Sequence, residues 1–183
     1  MGGRERDPRG AVRAARSGSS LALDELFKAH WPSAHRAAYL IVHDSAAAED
    51  IAQEAFLAAI RALDRFDRRR PFGPWLHRIV VNRAIDHARS RAIRREVGAE
   101  RAPEAAAPER GGRGGSGVYS DETMAALAEL APEHRGVIVL RHLLEYTPGE
   151  IARLLDLPRG TVNSRLRRGL DELARSLEEV AQP

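Results

Sequence analysis

The stretch from Pro132 to Leu173 limits what this chain can be more than any other. Thr147, Pro148 and Glu150 form a helix start. The threonine hydroxyl can cap, proline suits the first helical position, and Glu150 can close a capping box. Ile151, Leu154 and Leu155 give that short helix one apolar face. Asp156-Leu157-Pro158 ends it, because the residue before a proline is pushed away from helical geometry. In the next helix Val162, Leu166, Gly169 and Leu173 fall on one side at about 100° per residue. Thr161, Ser164, Arg167 and Arg168 fall on the other, with Arg159 at the start. Two helices about a tight turn, the second basic outside and apolar inside, predict a helix-turn-helix. Hydroxyl and guanidinium groups contact phosphates and guanine edges in a major groove. The pattern therefore points to DNA, against the plainer alternative of a helical hairpin with a solvated basic face.

Composition narrows the rest. A chain of 183 residues suffices for one or two small domains. The net charge is only +3, but acids and bases are segregated and the pI is near 9.9, which suits a polyanion partner. Lys28 is the single lysine, so the basic groups are arginines. The absence of cysteine excludes disulfides, thiolate metal sites and thiol redox chemistry. The longest strongly apolar run, Ala37 to Val42, is far too short to cross a membrane. The basic N-terminus lacks the apolar core of a signal peptide. A cytoplasmic protein without membrane insertion is expected. Nothing forms a catalytic constellation, so no enzyme and no cofactor are expected. His30 and His35 lie five apart with no third ligand nearby and read as structural, so no metal site is expected. The Gly111 to Gly117 run follows no strand and is not a phosphate loop.

Taken in order, residues 1–20 are rich in Arg, Gly and Ser and predict a disordered tail. From Leu21 to Val42, Leu23, Leu26, Phe27, Ala34, Ala38 and Ile41 recur at helical spacing, and Pro32 should kink or divide that helix. His43-Asp44-Ser45 is a break, with Asp44 or Ser45 a cap for a helix running to about Leu63. Ala48, Ile51, Ala52, Ala55, Phe56, Ala59 and Leu63 share one face of it, and Asp50, Gln53, Glu54 and Arg61 the other. Leu57 falls in the middle of the polar face. By pattern alone that fits equally a contact with another protein and a single exposed leucine of no consequence. Residues 64–73 place Arg68, Arg69 and Arg70 between Phe66 and Phe72, either a loop that holds phosphates and stacks a base or a solvated charge run. A long helix from Pro74 to about Arg95 follows. Trp75, Leu76, Ile79, Val80, Ile85 and Ala88 supply its buried side. Arg78, Asn82, Arg83, Asp86, Arg89, Arg91, Arg94 and Arg95 supply a polar, mostly cationic side. Residues 96–119 have no apolar periodicity and predict a flexible linker. Helices resume near Ser120, and residues 178–183 should fray. The expected fold is all-α: two small helical domains, residues 21–95 and 120–177, folding independently about the linker.

This arrangement resembles the extracytoplasmic-function sigma factors of bacterial RNA polymerase, within the sigma-70 family. Ala48 to Leu57 is similar to the region 2.2 helix, which implies that Asp50, Gln53, Glu54 and Leu57 bind core polymerase. Phe72 to Arg89 is similar to regions 2.3 and 2.4, which open and read the minus-ten element. With the loop before it, that implies minus-ten contacts from Phe66, Arg68, Arg69, Arg70, Phe72, Asn82, Arg83, Asp86 and Arg89, and a flipped base seated in the loop. Gly160 to Gly169 is similar to the region 4.2 recognition helix. There Arg159, Thr161, Ser164, Arg165, Arg167 and Arg168 would contact the minus-thirty-five element. The resemblance implies core RNA polymerase, promoter DNA and an anti-sigma factor as partners. A helix-turn-helix regulator that does not act through core polymerase is the alternative. It would need a receiver or ligand domain, and residues 21–95 show no strand alternation.

Overall fold

The structure, a computed structural model, describes residues 8–67, 69–96 and 119–181. Each helix begins where the local chemistry favours it. Helix α1 spans Pro8–Arg16, α2 Ser20–Val42, α3 Ser45–Arg61 and α4 Phe72–Glu96. Helix α5 spans Asp121–Glu129, α6 Pro132–Ile138, α7 Pro148–Leu155 and α8 Arg159–Ala181. No strand occurs among the described residues. Ser19, Asp44, Ser120 and Thr147 cap α2, α3, α5 and α7 by accepting from backbone N–H groups of the first turn. At Thr147 the full capping box forms, with Glu150 accepting from the Thr147 N–H at 2.8 Å. His43 and Asp156 end α2 and α7 in the left-handed conformation, at φ 53° and 55°.

Three expectations change. The tail is helical from Pro8: Val12 and Ala15 are buried against the first domain, and Arg16 pairs with Asp64 at 3.5 Å. Two small side chains at helical spacing suffice because α2 and the turn at Leu63–Arg65 already offer a surface to cover. Helix α2 passes through Pro32 undivided, with the Ser33 hydroxyl donating to the His30 carbonyl in the same turn at 3.0 Å. Helix α8 continues past Leu177 to Ala181, and Ser176 donates to Glu129 at 2.9 Å. The expected linker, apart from Glu96 and Tyr119, lies outside the described residues.

In the first domain α2, α3 and α4 pack round Ile41, Leu76 and Val80, all fully buried, with Ala34, Ala37, Ala38, Ala48, Ala55 and Ala59 letting the helices approach closely. In the second, α6, α7 and α8 pack round Leu140, Ile151 and Val162. Gly169 of α8 lies so near α6 that a Cβ there would stand 2.8 Å from Ile138 Cδ1. Helix α6 runs on into a wider π-helical turn, Val139–Leu143, closed by Leu144 N–H donating to Val139 O at 3.1 Å.

The two domains do not stand apart, as the sequence led one to expect. Helix α4 packs on α6 and α7, and α2 on α5 and α6. A Cβ on Gly136 of α6 would come 2.6 Å from Ile85 Cδ1 of α4, with Val81 Cγ1 at 3.5 Å. Arg135 donates to the carbonyls of Leu130 and, across the seam, Ile41. Burial pushes its guanidinium down to about 10, still fully charged at neutral pH. A polar chain also crosses the seam: Ser33 Oγ lies 3.0 Å from His77 Nε2, and His77 Nδ1 2.8 Å from the Tyr146 hydroxyl. Ser33 spends its one hydrogen on the His30 carbonyl, so it accepts from His77 Nε2–H. His77 Nδ1 then accepts from Tyr146 O–H. Burial, and secondarily His30, holds His77 neutral by pushing it down to about 4, while burial pushes Tyr146 up to about 12.

Candidate nucleic-acid interface

Helix α3 presents Asp50, Gln53, Glu54 and Leu57 on one exposed face. Leu57 is 50 % exposed and Ile60, a turn further on, 43 %. Phe56, their neighbour, points the other way into a cluster with Phe27 and Trp31. Gln53 donates to Glu49 at 3.1 Å, so its amide is held along the helix. Glu54 accepts from Arg83 of α4 at 2.7 Å. The apolar spot is thus ringed by polar groups, and its edge touches the cationic side of α4.

On α4, Asn82 and Arg83 are half-buried and Asp86 and Arg89 exposed. Arg91, two residues past Arg89, pairs with Asp44 at 3.3 Å. In the loop before α4, Arg69 and Arg70 are exposed, Asp67 accepts from the Arg69 N–H, and Arg68 lies outside the described residues. Phe66 and Phe72 differ from expectation. Both are buried, with ring centroids 4.6 and 5.7 Å from Trp75, and Phe72 also packs on His30 at 5.2 Å. These rings shape the loop from inside and are not platforms for a base. An aromatic beside a charge run carries no signal for which way its ring turns; only the apolar neighbours on α2 and α4 decide it.

On the second domain Arg159, Arg167 and Arg168 are exposed, while Thr161, Ser164 and Arg165 are half-buried. Ser164 donates to the Thr161 carbonyl at 2.9 Å, which turns its hydroxyl back along the helix. Val162 and Leu166, buried beneath, fix the roll of α8, so the arginine face looks outward. Arg165 points elsewhere, into a cleft of about 280 Å³ that it lines with Asn82, Asp86, Arg89, Glu133 and Leu157. Minus-ten and minus-thirty-five candidates therefore meet across the domain seam. The sequence reading missed Glu133, which accepts from Arg89. Although burial opposes it, a backbone N–H and the Arg89 guanidinium hold the Glu133 carboxyl below the usual range. Among the described residues no three His, Cys, Asp or Glu side chains come together as a metal site.

Comparison with known proteins assigns these surfaces to a family. Residues 26–93 match the family described as Sigma-70 region 2, and residues 120–173 the one described as Sigma-70, region 4. Over 97 % of this chain and 88 % of the relative, it is 33 % identical to the ECF RNA polymerase sigma factor SigM of Mycobacterium tuberculosis. The chain belongs to the extracytoplasmic-function sigma factors of the sigma-70 family. It is 28 % identical to SigW of Bacillus subtilis over 92 % of this chain and 96 % of that one. The fold is similar to that of CnrH, solved in complex with the cytosolic domain of CnrY, with a TM-score of 0.68 at 28 % identity over 94 % of this chain and 97 % of that one. This sigma factor is accordingly a transcription initiation factor that acts with core RNA polymerase in promoter recognition, and not an enzyme. Among its described residues no helix is long and apolar enough to cross a membrane.

Proposed function

We propose that this sigma factor divides its work among three faces. Asp50, Gln53, Glu54 and Leu57 dock on core polymerase. Asn82, Arg83, Asp86 and Arg89, with the loop arginines Arg68, Arg69 and Arg70, engage the minus-ten element. Arg159, Thr161, Ser164, Arg165, Arg167 and Arg168 engage the minus-thirty-five element. The protein works in the cytoplasm, where its template is, and takes an anti-sigma factor as a further partner. The complex of CnrH with the cytosolic domain of CnrY supports a protein partner of that kind. Phe66 and Phe72 carry no base contact in this reading; buried beside Trp75, they hold the loop that carries the arginines.

The observation that carries the assignment is Leu57. A half-exposed leucine inside a ring of carboxylate and amide groups costs hydration at every moment it is uncovered. A partner helix that covered the leucine and paired the ring would gain both terms. The ion pair between Glu54 and Arg83 ties that docking face to the minus-ten face, so binding polymerase presents α4 to the DNA. The test is transcription in vitro with core polymerase on genomic fragments, mapping RNA 5′ ends. Discrete starts preceded by two spaced shared elements are expected only when the chain is added. DNA binding without any start-site selection would overturn the assignment in favour of a regulator that ignores polymerase.

A further inference from the structure

Glycine weakens a helix unless the backbone or a close neighbour demands it. The two glycines of α8 differ on that point. A Cβ on Gly169 would meet Ile138 Cδ1 at 2.8 Å, so packing on α6 demands that glycine. Gly160 is helical, exposed and not at positive φ, and nothing stands within 4 Å of where its Cβ would be. Gly149 of α7 is open as well, but half-buried. Nothing in the fold therefore requires the bare Cα of Gly160. One turn on, Asn163 is exposed, and among the described residues its amide has no hydrogen-bond partner. Arg159 and Arg167, four residues to either side of it, are exposed too, which places the three along one edge of α8. The neighbouring Ser164 hydroxyl is turned back on the Thr161 carbonyl at 2.9 Å. At about 100° per residue, Gly160, Asn163, Ser164 and Arg167 share one sector of the helix, turned away from buried Val162 and Leu166.

Resting on the assignment of α8 to the minus-thirty-five element, we propose that Gly160 and Asn163 set the specificity of that contact. Gly160 clears the space for the start of α8 to lie close against the base edges, and Asn163 reads an adenine there. In a helix-turn-helix the first residues of the second helix meet base edges in the major groove. A side chain at Gly160 would stand between that backbone and the DNA; a bare Cα does not. The Asn163 amide offers one acceptor beside one donor. Adenine offers the complement in the major groove, an N6–H donor beside the N7 acceptor. Asn163 accepts from N6–H and donates to N7. Guanine shows two acceptors side by side, which would set its O6 against the amide oxygen. Arg159 and Arg167, a turn before and a turn after, carry the charge to hold flanking phosphates and so fix the register.

The test is transcription in vitro by core polymerase with the full chain. The template is one promoter recovered by start-site mapping, its upstream element randomised, and sequencing of the transcripts gives the base preference at each position. The parent should prefer adenine at one position by about 5- to 150-fold, the range of one bidentate base contact. Asn163→Ala should flatten that position and no other. Asn163→Lys, whose ammonium matches the two guanine acceptors, should turn the preference there to guanine. Gly160→Ala should raise the midpoint of urea unfolding, because alanine favours the helix and meets nothing. The same variant, with core polymerase, should bind the parent's best promoter several-fold more weakly. An even loss over all sequences in Asn163→Ala would make Asn163 a phosphate contact and overturn the adenine reading. An adenine preference that survives both Asn163 variants overturns it too, and leaves the assignment of α8 standing. Parent-like promoter affinity in Gly160→Ala overturns the close approach. So does a lowered urea midpoint, since the fold would then need the glycine. A parent with no base preference anywhere in the element, while starts are still selected, overturns the assignment of α8 itself.

Discussion

The two long arginine-bearing helices, α4 and α8, are built on opposite plans. Helix α8 has one apolar stripe: Val162, Leu166 and Gly169 are buried, and the arginines on the other side stand in solvent. Helix α4 has two adjoining rows. Leu76, Val80 and Ala84 pack into its own domain, whereas Val81 and Ile85 meet Gly136 of the other. Its polar residues are confined to what remains, and Asn82, Asp86 and Arg89 end up lining the domain seam. A helix covered from two sides has its polar groups confined to a narrow strip beside the seam; a helix covered from one side spreads them over a broad open face.

The largest effect should come from the docking face. Leu57→Asp would put a charge where a partner must desolvate it, and should weaken core polymerase binding by a hundredfold or more, about 3 kcal/mol. Native helicity with undiminished pull-down by core polymerase would move the docking face off α3.

Next is the double row of α4 against the single stripe of α8. Leu76→Ala removes a fully buried side chain and should cost about 2–5 kcal/mol in urea unfolding. Leu170→Ala on α8, 40 % exposed, should stay within about 0.5 kcal/mol. Equal costs would mean that α8 is covered too.

Acid should weaken the packing around α2 and α4. His77 is pushed down to about 4 by burial and then by His30; His43 is pushed down to about 4 by burial and then by Arg135. The unfolded rings titrate near 6.5, so the folded state binds fewer protons between the two values. The stability these neutral rings contribute is complete above about 6.5 and is lost as pH falls toward 4. At pH 5 the loss is about 2 kcal/mol per ring. Urea midpoints at pH 7 and 5 should show it, and His77→Gln should reduce the difference; an unaltered difference would place the proton elsewhere.

The smallest change concerns the open helix. Arg168→Ala should cost about 1–3 kcal/mol of promoter binding and relax preference at one base pair if the guanidinium reads a guanine. If it meets only phosphate, all sequences should suffer alike and the salt slope should fall by about 1. Single-substituted promoters measured at two salt concentrations separate the two, and no change in either quantity would take Arg168 off the DNA.

Local chemistry wrote much of this protein into its sequence. The capping box at Thr147 and Glu150, the stop at Asp156, the break at His43–Asp44 and the outward arginines of α8 depend on residues within a few positions of one another. Short-range hydrogen bonding and 3.6-residue periodicity therefore sufficed to read them, as they did to strand Leu57 on a polar face. Whatever depends on a distant surface was not legible. Residues 8–16 become a helix because α2 is there to cover Val12 and Ala15. Phe66 and Phe72 turn inward because Trp75 and His30 offer them apolar contact. Most of all, the periodicity of α4 announced a wide apolar side without saying that a second domain would take part of it. The join of Glu133 to Arg89 spans 44 positions of chain, and that of His77 to Tyr146 spans 69. Side chains so far apart acquire partners only when packing has fixed both backbones, so no local pattern of residues encodes the pair.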